Sequence, residues 1–197
     1  MKKIIFFLFI ALALTTSCTL IKNKQTTQPL EVSTEEKISY KTATMITNLG
    51  NIVIELNSTK APKTVENFVK LSNSGFYDGT KIHYILKDNH IQAGDPNSKN
   101  SNKAMWGFGG PGYVIADEIN DDKLVWGSVA MVNIGPNTNG SRFMIITAEK
   151  LASNDGKNTN FGKIVSGKEV IDQINQSKTD TLSRPLDDII IQTITVK

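Results

Sequence analysis

Alternating apolar and polar residues predict several short strands along this chain. Residues 45–56 alternate on both sides of a turn at 48–51, which is the pattern of a β-hairpin. Three further segments, 124–133, 141–147 and 189–196, are rich in apolar and β-branched residues and are also predicted to be strands. The chain is therefore expected to be mainly β.

Two segments have the spacing of amphipathic helices instead. Val65, Phe68 and Val69 fall at i, i+3 and i+4, so they share one helical face. Pro62 suits the first turn of this helix, and Gly75 supplies a suitable end for it.

The second helix is predicted near the end of the chain. Ser166 and Glu169 have the spacing of a capping box, with Ser166 at the N-cap. Val170, Ile171 and Ile174 then lie on one helical face. Many short strands with one helix near each end are typical of a barrel or a sandwich covered by helices.

The first eighteen residues have the layout of a secretory signal. Lys2 and Lys3 precede an apolar run, 4–14, which is followed by small residues. This run is too short to span a bilayer, because spanning takes about 20 residues. We therefore expect residues 1–18 to be a signal peptide.

The signal ends in a lone cysteine. Residues 14–18 resemble a bacterial lipobox, in which the cysteine is diacylated and the chain is cut before it, although Thr15 stands where leucine is usual. We expect lipidation of Cys18 and a membrane-anchored lipoprotein of the bacterial cell envelope. The alternative is a soluble periplasmic or secreted protein with one spare cysteine.

A polar segment, 19–42, is predicted to be a flexible tether, so that residues 43–197 form the globular domain. The length of 197 residues fits one domain with short appendages.

Charge and composition exclude several functions. The net charge is +3, and without Lys2 and Lys3 the chain has 20 basic and 19 acidic residues, which argues against nucleic-acid binding. One cysteine allows no internal disulfide, and the two histidines, His83 and His90, have no metal-ligand spacing. The glycine-rich segment 94–112 lacks the ending and the setting of a phosphate-binding loop, so we expect a structured loop there.

Eight stretches of the domain are similar, and in places identical residue for residue, to bacterial cyclophilins. They are TNLGNIVIEL (47–56), APKTVENFVKLSNSGFYDGT (61–80), IQAGDP (91–96), GGPGY (109–113), ADEIN (116–120), GSVAMVNIGPNTNGSRFMI (127–145), DGKNTNFGKIVSG (155–167) and EVID (169–172). The resemblance implies a closed eight-stranded β-barrel capped by two α-helices, with a binding groove on its outer face. It also implies peptidyl-prolyl cis–trans isomerisation, without a cofactor or a metal, by a domain that is usually monomeric. Together with the signal peptide, it predicts proline-containing peptides or unfolded exported proteins as partners.

The family's catalytic position is altered in this chain. The motif Phe-His-Arg-Val-Ile reads Ile-His-Tyr-Ile-Leu at 82–86, so Tyr84 replaces the arginine that donates toward the prolyl nitrogen. A charge-assisted hydrogen bond is about twice as strong as a neutral one, so turnover should be weak. Gln92 keeps the position whose amide contacts the substrate backbone.

The proline pocket implied by the resemblance is more polar here. Val132 and Asn133 are expected beside the bound peptide, with the Asn133 backbone pairing with it. The other substituted pocket positions carry Asn89, His90, Met144, Ser153, Asn154 and Asn158. Polar walls should hold a pyrrolidine ring weakly, because buried apolar area stabilises that contact.

Arg142 stands where the family has glutamine. Residues 142 and 144 point to the same face of a strand, so Arg142 should face the groove. One hypothesis is that Arg142 supplies the missing guanidinium. The alternatives are that it binds an acidic or carbonyl group of a different peptide, or that it lies in solvent. His83, on the opposite strand face from Tyr84, is expected to be a satisfied structural histidine.

Three functions fit these observations. The first is a cyclophilin-type isomerase with weak activity. The second is a catalytically inactive peptide-binding or protein-binding module of the cell envelope. The third, which has less support, is an envelope adhesin or surface antigen without a functional groove.

Overall fold

The computed structural model describes residues 41–197 of the chain. The signal peptide, the lipidation of Cys18 and nearly all of the tether predicted above lie outside the described residues. The described strands are β1 Thr42–Thr47, β2 Gly50–Leu56, β3 Tyr84–Leu86, β4 His90–Ala93, β5 Ser128–Met131, β6 Phe143–Ile146, β7 Asn160–Ser166 and β8 Ile191–Val196. The helices are α1 Pro62–Asn73 and α2 Lys168–Asn175, and three short 3₁₀ turns are Pro96–Lys99, Lys103–Met105 and Ala152–Asn154.

The eight strands form one antiparallel sheet in the order β3-β4-β6-β5-β7-β2-β1-β8. The predicted closed barrel is wrong in one respect, because the sheet is curled but open between β3 and β8. The chain before β3 meets the start of β8 at a bridge between Lys81 and Ile190, and beside it the amide of Gly79 donates to the carbonyl of Ile191. Beyond it, the amide of Ile85 donates to the carbonyl of Ser183, so a loop covers the edge of β3 in place of β8.

The predicted hairpin is confirmed, and its turn has a clear cause. Met45 of β1 lies opposite Ile52 of β2. The Thr47 hydroxyl accepts hydrogen bonds from the amides of Leu49 and Gly50, both at 3.1 Å, and donates to the Gly50 carbonyl at 2.7 Å. β1 begins at Thr42, one residue before the predicted start of the domain.

The first helix also matches its prediction and closes one side of the core. Val65, Phe68 and Val69 are buried, and Gly75 follows the helix with a φ of 69°. The Phe68 ring contacts three other aromatic rings inside the curled sheet. The distances between ring centroids are 5.4 Å to Tyr77, 5.6 Å to Phe143 and 5.3 Å to Phe161.

The predicted capping box at the second helix is wrong. Gly167, not Ser166, is the N-cap residue, and no side chain caps the helix. Gly167 has a φ of 91°, and a Cβ atom there would lie 2.3 Å from the carbonyl oxygen of Asn51. The helix therefore starts from glycine because β2 passes too close for any side chain.

The central strands β5 and β6 are shorter than predicted and are buried on both faces. Val129, Phe143 and Ile145 point into the main core, whereas Ala130, Met144 and Ile146 belong to a second cluster on the outer face of the sheet. Leu124 and Leu151 cover this outer cluster from the loops. A loop layer therefore lies over part of the outer face. Among residues 41–197, no helix has the length and apolar content needed to cross a bilayer.

We predict that Gly167→Ala lowers the free energy of unfolding by about 2 kcal/mol or more, since it adds a clash to an unfavourable φ. Urea unfolding measures this change. Gly79→Ala is the matched control, because Gly79 has a φ of 75° and a Cβ atom added there would meet nothing within 4 Å. An equal loss in both variants would contradict the close approach of Asn51.

Candidate functional site

Two of the three predicted catalytic residues, Tyr84 and Gln92, lie in one row across the outer face of the sheet. Tyr84 of β3 lies opposite Gln92 of β4, and Gln92 lies opposite Met144 of β6. Side chains alternate along a strand, so these three point to the side away from the main core. The structure thus brings Tyr84 and Gln92 together, each partly exposed at the surface.

Two amide side chains flank His90 in this groove. Its Nδ1 lies 2.6 Å from Oδ1 of Asn89, and its Nε2 lies 2.9 Å from Nε2 of Gln92. The ring of Tyr84 stacks on the imidazole, with centroids 5.6 Å apart and an interplanar angle of 29°. Burial lowers the pKa of His90 from its ordinary value. Asn89, His90, Gln92 and Tyr84 therefore form one connected wall, which we call the histidine wall.

A second wall is a chain of hydrogen bonds between polar side chains. Ser153 donates to Oδ1 of Asn154 at 2.9 Å, and Nδ2 of Asn154 donates to Oδ1 of Asn158 at 2.9 Å. Asn158 then donates to the Met131 carbonyl at 3.0 Å, with Asn133 Oδ1 at 3.4 Å. We call Ser153, Asn154, Asn158 and Asn133 the amide wall.

The amide wall leaves a backbone position open for a ligand. The Asn133 side chain donates to the Lys157 carbonyl at 3.1 Å and to Asp117 Oδ1 at 3.3 Å. Val132 donates its amide to the Arg142 carbonyl at 3.0 Å. Among residues 41–197, no backbone hydrogen bond involves Asn133, so its amide and carbonyl are available to a bound peptide.

Met144 lies at the bottom of the groove and is covered. Its exposed fraction is 3%, because Leu124, Leu151 and the rest of the outer cluster pack against it. The prediction that it contacts a ligand therefore needs correction. Met144 supports the floor and presents little area to a peptide, whereas Val132 packs on the same cluster and is partly exposed.

Arg142 is turned toward the glycine-rich loop. Its Nη1 donates to the carbonyl oxygen of Gly107, and the negative charge of Asp95 lies nearby. Asp95 is fully buried and accepts from the amides of Asn97, at 2.8 Å, and Gly107. Arg142 therefore bonds to its own chain, which none of the three sequence-based alternatives described, and its role toward a ligand stays a prediction.

His83 is buried, and its ring is poorly satisfied. Its exposed fraction is 3%, and neither ring nitrogen makes a hydrogen bond of good geometry in the described part of the chain, although the Lys81 backbone lies close enough to favour the protonated ring. Burial lowers its pKa to about 4, a change that Asp95 opposes and Arg142 reinforces. His83 is therefore neutral at pH 7 and lies near Asp95 and Arg142.

Two exposed apolar side chains, which follow Gly107 and Asn133 in the chain, were not identified from the sequence. Phe108 follows Gly107 and is 80% exposed, and Ile134 follows Asn133 and is 84% exposed. Ile134 lies in a stretch that is similar to the family and Phe108 just before another, and nothing in their spacing distinguishes them from core residues. Only their exposure in the structure identifies them, and this exposure depends on how the loops that contain Phe108 and Ile134 fold.

A separate depression of about 770 Å³ lies elsewhere on the domain. Its lining includes Glu55, Trp126 and Lys163, and none of the predicted site residues contributes to it. Between residues 41 and 197, no three His, Cys, Asp or Glu side chains are grouped so that they could hold a metal.

The chain matches a known family over almost all of its described length. The family model described as cyclophilin type peptidyl-prolyl cis-trans isomerase/CLD matches residues 42–196. The chain therefore belongs to the cyclophilin-type peptidyl-prolyl cis–trans isomerases, which makes it an isomerase by family.

Several named proteins are similar to it. Peptidyl-prolyl cis-trans isomerase-like 1 of Homo sapiens is 39% identical, over 74% of this chain and 86% of its own length. Peptidyl-prolyl cis-trans isomerase A of Mycobacterium tuberculosis is 37% identical, over 83% of this chain and 96% of its own. A crystal structure of a cyclophilin type isomerase of Cryptosporidium parvum, in the presence of the dipeptide ala-pro, matches with a TM-score of 0.73 and 34% identity. That match covers 79% of this chain and 98% of the other.

The neutral, buried His83 predicts an acid-sensitive fold. Above pH 6.5 the ring is neutral in both the folded and the unfolded chain. Between pH 6.5 and about 4 only the unfolded chain takes up the proton, so the free energy of unfolding falls by up to about 3 kcal/mol as pH decreases. Below about pH 4 this contribution stops changing.

Urea unfolding at pH 4.5 and pH 7.5 tests this prediction. His83→Leu should remove most of the difference between the two values, whereas the control His90→Met should keep the part that comes from His83. If the free energies of unfolding of His83→Leu at the two pH values differ as much as those of the wild type, other groups cause the acid sensitivity.

Proposed function

We propose that this chain is a slow peptidyl-prolyl isomerase that acts on proline-containing segments of exported proteins. The observation that carries the proposal is the position of Tyr84, next to Gln92 on the open face of the sheet. Family membership supports the isomerase activity. The identity of residue 84 supports the slow rate.

The reaction needs stabilisation of a twisted amide. An X–Pro bond isomerises unaided in tens to hundreds of seconds, because amide resonance must be lost in the transition state. A hydrogen-bond donor directed at the prolyl nitrogen becomes more favourable as the amide twists, so it lowers the barrier. The Tyr84 hydroxyl can donate one such bond, but without the charge of a guanidinium.

Other parts of the groove suit a peptide ligand. The open backbone groups of Asn133 can pair with an extended peptide, and Gln92 is placed to bind a neighbouring peptide group. The Cryptosporidium parvum relative was crystallised in the presence of ala-pro, which supports a proline-containing ligand here. The polar histidine wall and amide wall should reduce the grip on the proline ring.

A catalytically inactive binding module is the alternative function. The hydrogen bond between Arg142 and Gly107 favours it, because the nearby guanidinium is already occupied. The two polar walls favour it as well, since they suit a polar peptide segment better than a proline ring.

We predict that Tyr84→Arg raises kcat/KM on a short X–Pro peptide by about tenfold, because a charged donor replaces a neutral one. Tyr84→Phe keeps the aromatic ring but removes the hydroxyl, and should lower kcat/KM about fivefold. NMR exchange spectroscopy between the cis and trans peptide signals measures both rates.

Circular dichroism and urea unfolding would establish that both variants remain folded. Equal rates for the wild type and both folded variants would exclude Tyr84 as the donor. Absence of exchange in the wild type together with its appearance in Tyr84→Arg would instead favour the binding module.

We further propose that a lipid on Cys18 holds the chain, as a monomer, on a membrane of the bacterial cell envelope. The apolar run at 4–14 and the lipobox-like residues 14–18 support this placement. A diacylated cysteine gives stable anchoring, because two acyl chains bind a bilayer much more firmly than one.

We predict that Cys18→Ser, expressed in a bacterium with a lipoprotein pathway, moves the protein from the membrane fraction to the soluble fraction. It should also abolish incorporation of labelled fatty acid. Ser17→Ala is the control, because it changes the neighbouring residue and retains the thiol. A Cys18→Ser protein that still incorporates labelled fatty acid would contradict the lipid anchor.

A further inference from the structure

The hydrogen bonds around His90 define which ring nitrogen carries its proton. The carbonyl oxygen of the Asn89 side chain only accepts, so its 2.6 Å contact requires a hydrogen on Nδ1 of His90. In the neutral ring Nε2 is then an acceptor, and it receives a hydrogen bond from Nε2 of Gln92 at 2.9 Å. His90 is therefore neutral in its Nδ1–H form.

This arrangement fixes the orientation of the Gln92 amide. With its NH₂ group bound to His90, the planar amide turns its carbonyl oxygen, Oε1, to the other side. The reverse orientation would place Oε1 against the lone pair of Nε2, and two acceptors cannot share a hydrogen bond. Gln92 thus presents an acceptor to the groove.

We propose that His90 is a positioning residue that holds Gln92 with its carbonyl oxygen toward the peptide, so that Gln92 accepts an N–H of the ligand at neutral pH. The inference rests on the proposed function, since it requires that the groove binds peptides. A peptide segment with an N–H group opposite Gln92 is the ligand that this orientation selects.

Protonation of His90 would reverse the orientation. Both ring nitrogens of the cation donate, so Nε2–H needs an acceptor and Gln92 must turn its Oε1 toward the ring. The NH₂ group then faces the groove, and the acceptor for the ligand is lost. The peptide should bind more weakly in acid for this reason.

The surroundings of His90 contain no acidic partner, among the described residues, that would hold this proton. On β3, the Tyr84 ring stacks on the imidazole. On β6, Ile146 lies opposite His90, and Arg142, before that strand, is bonded to Gly107.

The adjoining turns add no partner either, within residues 41–197. Asp88, in the turn between β3 and β4, accepts from Nδ2 of Asn175 at 2.8 Å, and Lys87 is exposed. Glu149 and Lys150, in the loop after β6, are exposed and make no described hydrogen bond or ion pair with His90. Burial without a carboxylate lowers the pKa of His90, so the neutral form prevails at pH 7.

The first test determines the tautomer of His90 directly. Long-range ¹H–¹⁵N correlation NMR on the full chain at pH 7.5 should show Nδ1 of His90 protonated and Nε2 unprotonated. On acidification the side-chain amide signals of Gln92 should shift with the same midpoint as the His90 ring. An Nε2–H tautomer at pH 7.5 would overturn the inference.

The second test measures binding of a tetrapeptide that contains Ala-Pro, as its Kd at a series of pH values. The wild type should bind about fivefold more weakly once His90 is protonated, since one hydrogen bond to the ligand is lost. His90→Gln cannot titrate but retains an acceptor for Gln92, so its affinity should match the neutral wild type at every pH. His90→Met offers Gln92 no partner, so its affinity should be lower and independent of pH.

The outcomes separate this inference from the proposed function. His83 is present in every variant, so a pH dependence that it causes would persist in both. An unchanged pH dependence of Kd in His90→Met would overturn the role of His90 while leaving peptide binding intact. No binding by the wild type or either variant at any pH would overturn the proposed function, and the positioning role with it.

Discussion

The packing of Phe68 against Tyr77, Phe143 and Phe161 is the constraint on which the site depends. It joins helix α1 to the inside of the curled sheet and commits Phe143 to the core. Because successive side chains on a strand point to opposite faces, Met144 must then face outward, opposite Gln92. The row that runs through Tyr84 is therefore set by an aromatic cluster on the other side of the sheet.

The groove combines the scaffold of the family with changed chemistry. Its floor, at Met144 and Ala130, is apolar. Each of its two walls is built from side chains that contact one another within that wall. Such connected networks are rigid when every member has a partner, and they specify the orientation of each amide. The cost is a smaller apolar surface for a proline ring. The structure therefore suits ligands that offer polar groups beside the proline.

Sequence reasoning predicted the hairpin, helix α1 and the family, because these depend on local spacing and on sequence motifs that the family shares. It was wrong about the closed barrel, since the pairing of β3 with β8 depends on a distant loop at Ser183. It was also wrong about the cap of α2, because the close approach of Asn51 to Gly167 is a tertiary contact. The partners of Arg142 and His90 depend on side-chain conformation, which no spacing in the sequence reveals.

The most direct test of the account is to map where a proline peptide binds, using ¹⁵N NMR chemical shifts of the full chain titrated with an Ala-Pro tetrapeptide. The account predicts that the largest changes occur at Tyr84, Gln92 and Asn133, on the outer face of the sheet. Changes centred on Trp126 and Lys163, in the separate depression, or no changes at all from a folded chain, would contradict it.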